Sequence, residues 1–288
     1  MKAIYKRELK SYFDNVIGFV FIAILVAFTG IYFLAYNLAG GYPYFSYSLG
    51  SVLFIFMLAM PILTMKSFSD ERKLKTDQLL LTSPVSISSI ILGKYFAMVT
   101  VFAVPVCISF LCPIIIKANG TAFLVADFST IFAFFLLGCV YIAIGMFISS
   151  LTESQIISAV GTFGILLVLY LWPSLIEFLP TTANGNIIGF IILLTALVFI
   201  IYSITKNWLI SAVLEGIGLA AILITYIVNK DIFDNGLSKL LSNISLTAPF
   251  ETFAYNQIFD IGGIIYYISI IAAFSFLTMQ SLQKRRWS

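Results

Sequence analysis

The chain has 288 residues, 61% of them hydrophobic and only 10% charged, with 16 Lys and Arg against 13 Asp and Glu. A soluble domain is about half apolar and roughly a quarter charged, so this composition excludes a water-soluble globular protein and points to a membrane. The chain has no histidine, which excludes His-dependent triads and HExxH metal helices, and its net charge of +3 is spread between apolar runs with no nucleic-acid-binding patch.

The N-terminus, "MKAIYKRELKSYF" over 1–13, predicts an amphipathic helix. At a helical period Met1, Ile4, Tyr5, Leu9, Tyr12 and Phe13 gather on one side, and Lys2, Lys6, Arg7 and Lys10 on the other. Such a helix lies in the membrane interface, with Lys6, Arg7 and Lys10 toward anionic headgroups. A topology signal alone would need the charges but not the apolar stripe. Basic residues before an apolar run also mark signal peptides. This run exceeds a signal's core of about 7–15 residues and a second span follows it, so the segment is expected to be retained.

No Asp, Glu, Lys or Arg occurs from Asn15 to Met65, and further charge-free windows cover 95–116, 128–152, 154–176, 178–205 and 261–283. About 20 apolar residues in a helix cross roughly 30 Å of hydrocarbon, whereas barrel strands would alternate over about 10. Spans are predicted near 16–38, 47–65, 88–116, 126–149, 155–176, 187–204, 208–229 and 261–282. Within 187–229, Lys206 and Asn207 mark either a turn between two full spans or the tip of a re-entrant hairpin. The expected fold is an all-α polytopic bundle of about eight spans, forming one membrane domain over 1–288.

Eight spans put both termini on one side. With that side cytoplasmic, it holds Lys2, Lys6, Arg7, Lys10, Lys66, Arg72, Lys73, Lys75, Lys94, Lys206, Lys284, Arg285 and Arg286. Only Lys117, Lys230 and Lys239 lie opposite, so the positive-inside rule makes both termini and segment 66–87 cytoplasmic and segment 230–260 extracellular.

Segment 67–86, "SFSDERKLKTDQLLLTSPVS", stands out because Lys66 through Asp77 holds seven of the chain's 29 charged residues. Asp70 and Glu71 suit the first turn of a helix running to Leu81, and Ser83 with Pro84 suits the start of the next one. A solvated loop explains the lysines but not Leu79, Leu80 and Leu81, which need a partner surface or the membrane. In "SSLTESQIIS", Thr152 and Gln155 have capping-box spacing and Glu153 faces the cytoplasm. Asp127 and Glu177 fall at span ends and are expected to be solvated. Glu215 is the one carboxylate well inside a span, which makes it a candidate intramembrane polar site: either structurally paired near the cytoplasmic face, or a proton or substrate site. Cys107, Cys112 and Cys139 fall within spans and read as small buried hydrophobes. There is no GxxxxGK[ST] motif and no intramembrane aspartate pair, so the chain is expected to be neither an ATPase nor another enzyme.

"FSDERKLKTDQLLLTSPVSISSIILGKY" resembles the cytoplasmic segment between the second and third spans of ABC-2-type transporter permeases. "FISSLTESQIISAVGTF" is similar to their fourth-to-fifth turn, and "TAPFETFAYNQIFDIGGIIYYISIIAAFSFLTMQSLQKRRWS" to the C-terminal end of the gliding-motility branch. The sequence departs from that pattern at Lys75 and at Asn256, where the family commonly has glycine, and in the extra hairpin over 187–229.

The resemblance implies that 66–87 is a coupling segment docking on a separate ATP-binding subunit, present in two copies that carry ATP and Mg. Arg72, Lys73 and Asp77 would make polar contacts, Leu80, Leu81 and Pro84 would fill a groove, and Glu153 would lie at a second contact. The N-terminal helix would flank the same subunit. It further implies no cofactor on this chain, a second permease copy or paralogue, an extracytoplasmic auxiliary protein, export, and a bacterial cytoplasmic membrane. Two other readings stay open: a secondary transporter coupled to an ion gradient, and a non-transporting scaffold that anchors a partner.

Overall fold

The computed structural model describes residues 1–77 and 85–286, and all regular structure among them is helical. In chain order the helices are α1 (Lys2–Asp14), α2 (Val16–Tyr32), α3 (Ser46–Thr64), α4 (Ser69–Lys73), α5 (Ile87–Ser109), α6 (Leu111–Asn119), α7 (Leu124–Leu151), α8 (Gln155–Glu177), α9 (Ala183–Thr205), α10 (Trp208–Val228), α11 (Gly236–Ser242), α12 (Thr247–Ala254) and α13 (Ile261–Arg286). A π-helical turn, Phe33–Ala39, extends α2. Among the described residues eight helical stretches are long and apolar enough to cross a membrane, matching the eight predicted spans. The ambiguous region resolves into two helices of 23 and 21 residues, each long enough to cross roughly 30 Å at 1.5 Å per residue.

Contacts divide the chain into two compact units, Met1–Tyr170 with the chain from Leu246 onward, and Leu171–Ser245. In lipid, apolar side chains gain little by leaving the solvent, so helices associate through close packing, small residues and buried polar contacts. The first unit shows all three. Phe56 of α3 sits with ring centroids 5.3 Å from Phe102 of α5, 4.5 Å from Phe134 and 5.4 Å from Tyr141, both of α7. Gly138 makes room for these rings, because a Cβ there would lie 2.1 Å from Phe102. One turn past Tyr141, Gly145 lets α7 meet α3, where a Cβ would fall 2.3 Å from Thr64 Oγ1 and 2.7 Å from its Cβ.

Asp127 differs from expectation. It is buried rather than solvated, and its carboxylate accepts the Phe45 N–H at 2.8 Å, tying the first turn of α7 to the start of α3. The acid replaces water as the partner of a backbone donor that leads a helix.

In the second unit, Asn186 is fully buried, donating to Pro180 O at 2.8 Å and Thr182 O at 3.0 Å while accepting Leu237 N–H at 3.2 Å. Phe233 packs edge-on against Phe190 and Tyr226. Lys206 closes α9 in the left-handed conformation, φ 54°, and the Asn207 side chain caps α10 through Leu209 N and Ile210 N.

The α3–α7 crossing has no slack at Gly145. Gly145→Val is expected to destabilise the protein by about 1–3 kcal/mol, the usual cost of overpacking. The check is a drop in the midpoint of thermal unfolding of the purified protein in detergent, with Gly30→Ala, where a Cβ meets nothing within 4 Å, as the tolerated control.

Candidate functional site

The segment that follows α3 leaves the bundle but is not a free loop. Ser149, fully buried on α7, accepts both Phe68 N–H and Ser69 N–H at 3.1 Å and donates to Met65 O at 3.1 Å. One hydroxyl of a neighbouring span thus satisfies the first donors of α4, which no residue of its own sequence caps. From the other side Lys94 Nζ donates to Ser67 O at 2.8 Å and lies 5.1 Å from the Phe68 ring centre. Arg72 donates to Ser150 O, a carbonyl at the end of α7.

Lys94 also collects two carboxylates. Its ammonium is 3.2 Å from Glu8 of α1 and 3.0 Å from Glu71 of α4, with the lysine side chain only 2% exposed and the acids 14% and 17%. Arg7 closes the cluster, bridging the same two acids at 2.6 and 2.7 Å. Burial by itself would lower the Arg7 pKa; hydrogen bonds and charge from Glu8 and Glu71 outweigh it and hold the group above its ordinary value. Burial likewise pushes the Tyr12 phenol well up, with help from both acids, so the hydroxyl stays a donor to Leu63 O at 3.1 Å. With Ile4, Glu8 and Tyr12 spaced four apart, α1 turns one stripe to the protein, and Tyr5 reaches Thr100 at 3.0 Å. Gly93 is the seat for Ile4, whose Cγ2 would be 3.1 Å from an added Cβ. The sequence expectation laid the apolar side of α1 on lipid; here its buried stripe packs on α5, and Met1 and Phe13 are exposed.

A second, more open network links the segment to the fourth-to-fifth turn and the C-terminal helix. Arg285 contacts Asp77 and Glu153 at 3.3 Å each, and Arg72 lies 3.9 Å from Glu153. Glu153 is 68% exposed, so its pairs with Arg285 and Arg72 contribute about 0–1 kcal/mol each, whereas Asp77 is only 18% exposed. Gln155 donates its side-chain amide to Asp70. The predicted capping box does not form among the described residues: the Thr152 hydroxyl accepts Ser154 N–H at 3.1 Å in place of Gln155 N–H, and the Ser154 hydroxyl accepts Ile157 N–H at 3.4 Å.

Of the residues singled out from sequence, Arg72, Asp77 and Glu153 are brought together, but by contacts within the chain. Lys73 is exposed, as are Lys6, Arg7 and Lys10 along one side of α1. Leu80, Leu81, Ser83 and Pro84 lie outside the described residues; the third span begins at Ile87 under a cap from Ser86. The helix expected from Asp70 to Leu81 stops at Lys73, because Lys75 takes the left-handed conformation, φ 56°. Glu215, half-buried on α10, has no hydrogen bond or ion pair among the described residues. Sequence reasoning missed Lys94, Glu8, Glu71, Ser149 and Arg285 as members of one site. A readable signal existed only for Lys94, a charge about two turns inside an apolar helix beside a glycine.

The class so defined is a multi-pass helical membrane protein that presents one braced, charged segment at the end of its bundle. The model for ABC-2 family transporter proteins matches residues 3–284, and the chain belongs to that family, the membrane components of ABC transporters. Membership implies association with an ABC ATP-binding subunit. No curated protein matches the chain at a significant level.

Removing one member of a buried ion cluster typically costs about 3–5 kcal/mol, and partial exposure of the acids puts Lys94→Leu near ~3 kcal/mol. The expected result is a large fall in the thermal midpoint, partly restored when Glu8→Gln is added to leave one carboxylate with Arg7. A non-glycine residue in the left-handed region costs roughly 1 kcal/mol, so Lys75→Gly should be neutral or stabilising and Lys75→Val destabilising by about 1–2 kcal/mol, read by the same unfolding assay.

Proposed function

We propose that the chain is the permease subunit of an ATP-driven exporter, and that segment 66–87 is its coupling element. The observation that carries this reading is the bracing of residues 65–77. Backbone groups of Phe68, Ser69 and Ser67 are held by Ser149 and Lys94, and Arg72 is held on Ser150 O. A loop that only ended a span would need none of these contacts. A loop that receives force from a partner needs all of them, because slack in the joint would dissipate the displacement.

In this reading the basic end of the bundle faces the cytoplasm, and two ATP-binding subunits dock on two permease copies or on a pair of paralogues. Closure of the ATPases on ATP and Mg pushes each segment, and the ties to α1, α5 and α7 carry the movement into the spans. Arg72, Asp77 and Glu153 act by fixing the segment's position, leaving Lys73 and the stretch containing Leu80, Leu81 and Pro84 to meet the partner. The gliding-motility resemblance of the tail favours a bacterial cytoplasmic membrane and an extracytoplasmic auxiliary protein. A secondary transporter would need paired intramembrane charges, and Glu215 supplies one group.

The test is co-expression with the cognate ATP-binding subunit, comparing wild type with the Leu80→Glu/Leu81→Glu double variant. Co-purification and ATP hydrolysis in lipid are scored. Wild type is expected to retain the ATPase and the variant to lose most of it while remaining monodisperse. Equal retention by both, or retention by neither, would overturn the coupling assignment in favour of the scaffold or secondary-transporter readings.

A further inference from the structure

In the second unit, the hairpin of α9 and α10 carries a single charged residue along its two helices, Glu215. It stands seven residues after Trp208, where α10 begins, and thirteen before Val228, where α10 ends, about 10 and about 20 Å along the axis. Trp208 is exposed and of the residue type that marks headgroup level, so Glu215 lies well inside the hydrocarbon. From that depth a lysine or arginine can reach back to the headgroups, but a glutamate is too short. Glu215 is half-buried and has no hydrogen bond or ion pair among the described residues. An ionisable group so placed is costly unless a partner satisfies it.

The surroundings of Glu215 show where a partner can come from. Ser211, one turn earlier, is buried, and at Gly218, three residues later, a Cβ would fall 2.6 Å from Leu194 of α9. Glu215 therefore sits along the α9–α10 seam, at a side that stays partly open. Next to it Ala212 and Gly216 are exposed, and a Cβ at Gly216 would meet nothing within 4 Å, so another helix can approach closely there. Only 6% of the apolar stretch of α9 and of α10 is buried, against 78% for α7.

The chain itself has no cation to offer. Lys94 is held by Glu8 and Glu71, and every other Lys and Arg lies in the N-terminal helix, a connection or the last turn of a helix. Lys206, the nearest in sequence, sits in the turn before α10 and makes no ion pair with Glu215. A second copy brings the same set, so its hairpin would place carboxyl against carboxyl. A proton relay needs a second group to pass the proton on, and α9 and α10 hold no other charged residue. We infer that the hairpin is a docking face for a separate transmembrane helix that carries one lysine or arginine about 10 Å inside the same membrane surface, paired with Glu215. Each charge is costly alone in lipid and the pair relieves both, so the basic span and the hairpin hold each other in register.

The experiment uses the full chain reconstituted in phosphatidylcholine vesicles, with synthetic transmembrane peptides as probes. Each peptide is a leucine–alanine helix long enough to cross the bilayer, with lysine, leucine or glutamate seven residues from one end. Energy transfer between labelled protein and labelled peptide reports association. Wild type is expected to bind the lysine peptide at least about fivefold tighter than the leucine peptide, the ratio that an interhelical polar contact of about 1 kcal/mol gives. Glu215→Leu is expected to bind the two peptides alike. Equal binding of the lysine and leucine peptides by wild type, a comparison that needs no variant to fold, overturns the proposal. So does a preference that persists unchanged in Glu215→Leu. A glutamate peptide bound as tightly as the lysine peptide overturns the ionic pairing and gives the face to a carboxyl–carboxyl contact with a second copy.

Discussion

The fold at the basic end of the bundle depends on where a single ammonium group sits. Lys94 lies on α5, 2% exposed, with two carboxylates and a backbone carbonyl within 3.2 Å. A lysine in that position without partners would be driven toward its neutral form or out of the bundle. Its partners come from two other elements, Glu8 of α1 and Glu71 of α4, so satisfying one charge fixes three pieces of chain at once. The N-terminal helix gains a reason to pack along α5, and the segment after α3 gains a reason to fold back on the spans it connects. Arg7, more exposed, keeps the pair of acids from repelling one another.

The two ionic networks differ in kind. The Lys94 cluster is largely withdrawn from water, where charges interact strongly and a broken set is costly. The Arg285–Glu153 contact stands in the open and is worth little, whereas Asp77, which also meets Arg285, is only 18% exposed. Strong ties therefore hold the segment to α1 and α5, while the ionic tie to the exposed Glu153 of the fourth-to-fifth turn is weak.

Much of the fold was legible because membrane spans write themselves as charge-free runs: each of the eight predicted spans corresponds to a helical stretch. Even the 187–229 hairpin needed only its helix lengths. The site was legible as a region and not as a set of partners. The density of charge between Lys66 and Asp77 marked the segment, but the partners of those charges lie 23 to 208 residues away in sequence. No local periodicity encodes such pairings. Thr152 and Gln155 show the opposite failure, a local pattern that reads as a capping box and is overridden because Asp70 offers Gln155 a partner from another element. Asp127, expected in water, is buried because the start of α3 needs an acceptor there.

Lys75 joins these threads. The resemblance marks it as a departure, since glycine is usual in the family at that position, and the structure supplies the reason glycine suits it: the residue sits at φ 56°, where a side chain is strained. The kink ends α4 after Lys73 and lets Thr76 N–H return to Glu71 O at 2.9 Å, so Asp77 is turned toward Arg285 instead of continuing the α4 axis. A straight helix from Asp70 onward would rotate Asp77 by seven residues' worth of turn, nearly two full turns, and carry it about 10 Å along the axis. The corner is thus what allows one short segment to hold Lys94 with its first half and Arg285 with its second. A lysine tolerates this conformation at a cost of roughly 1 kcal/mol, which the surrounding ties to Ser149, Lys94 and Ser150 are sufficient to hold.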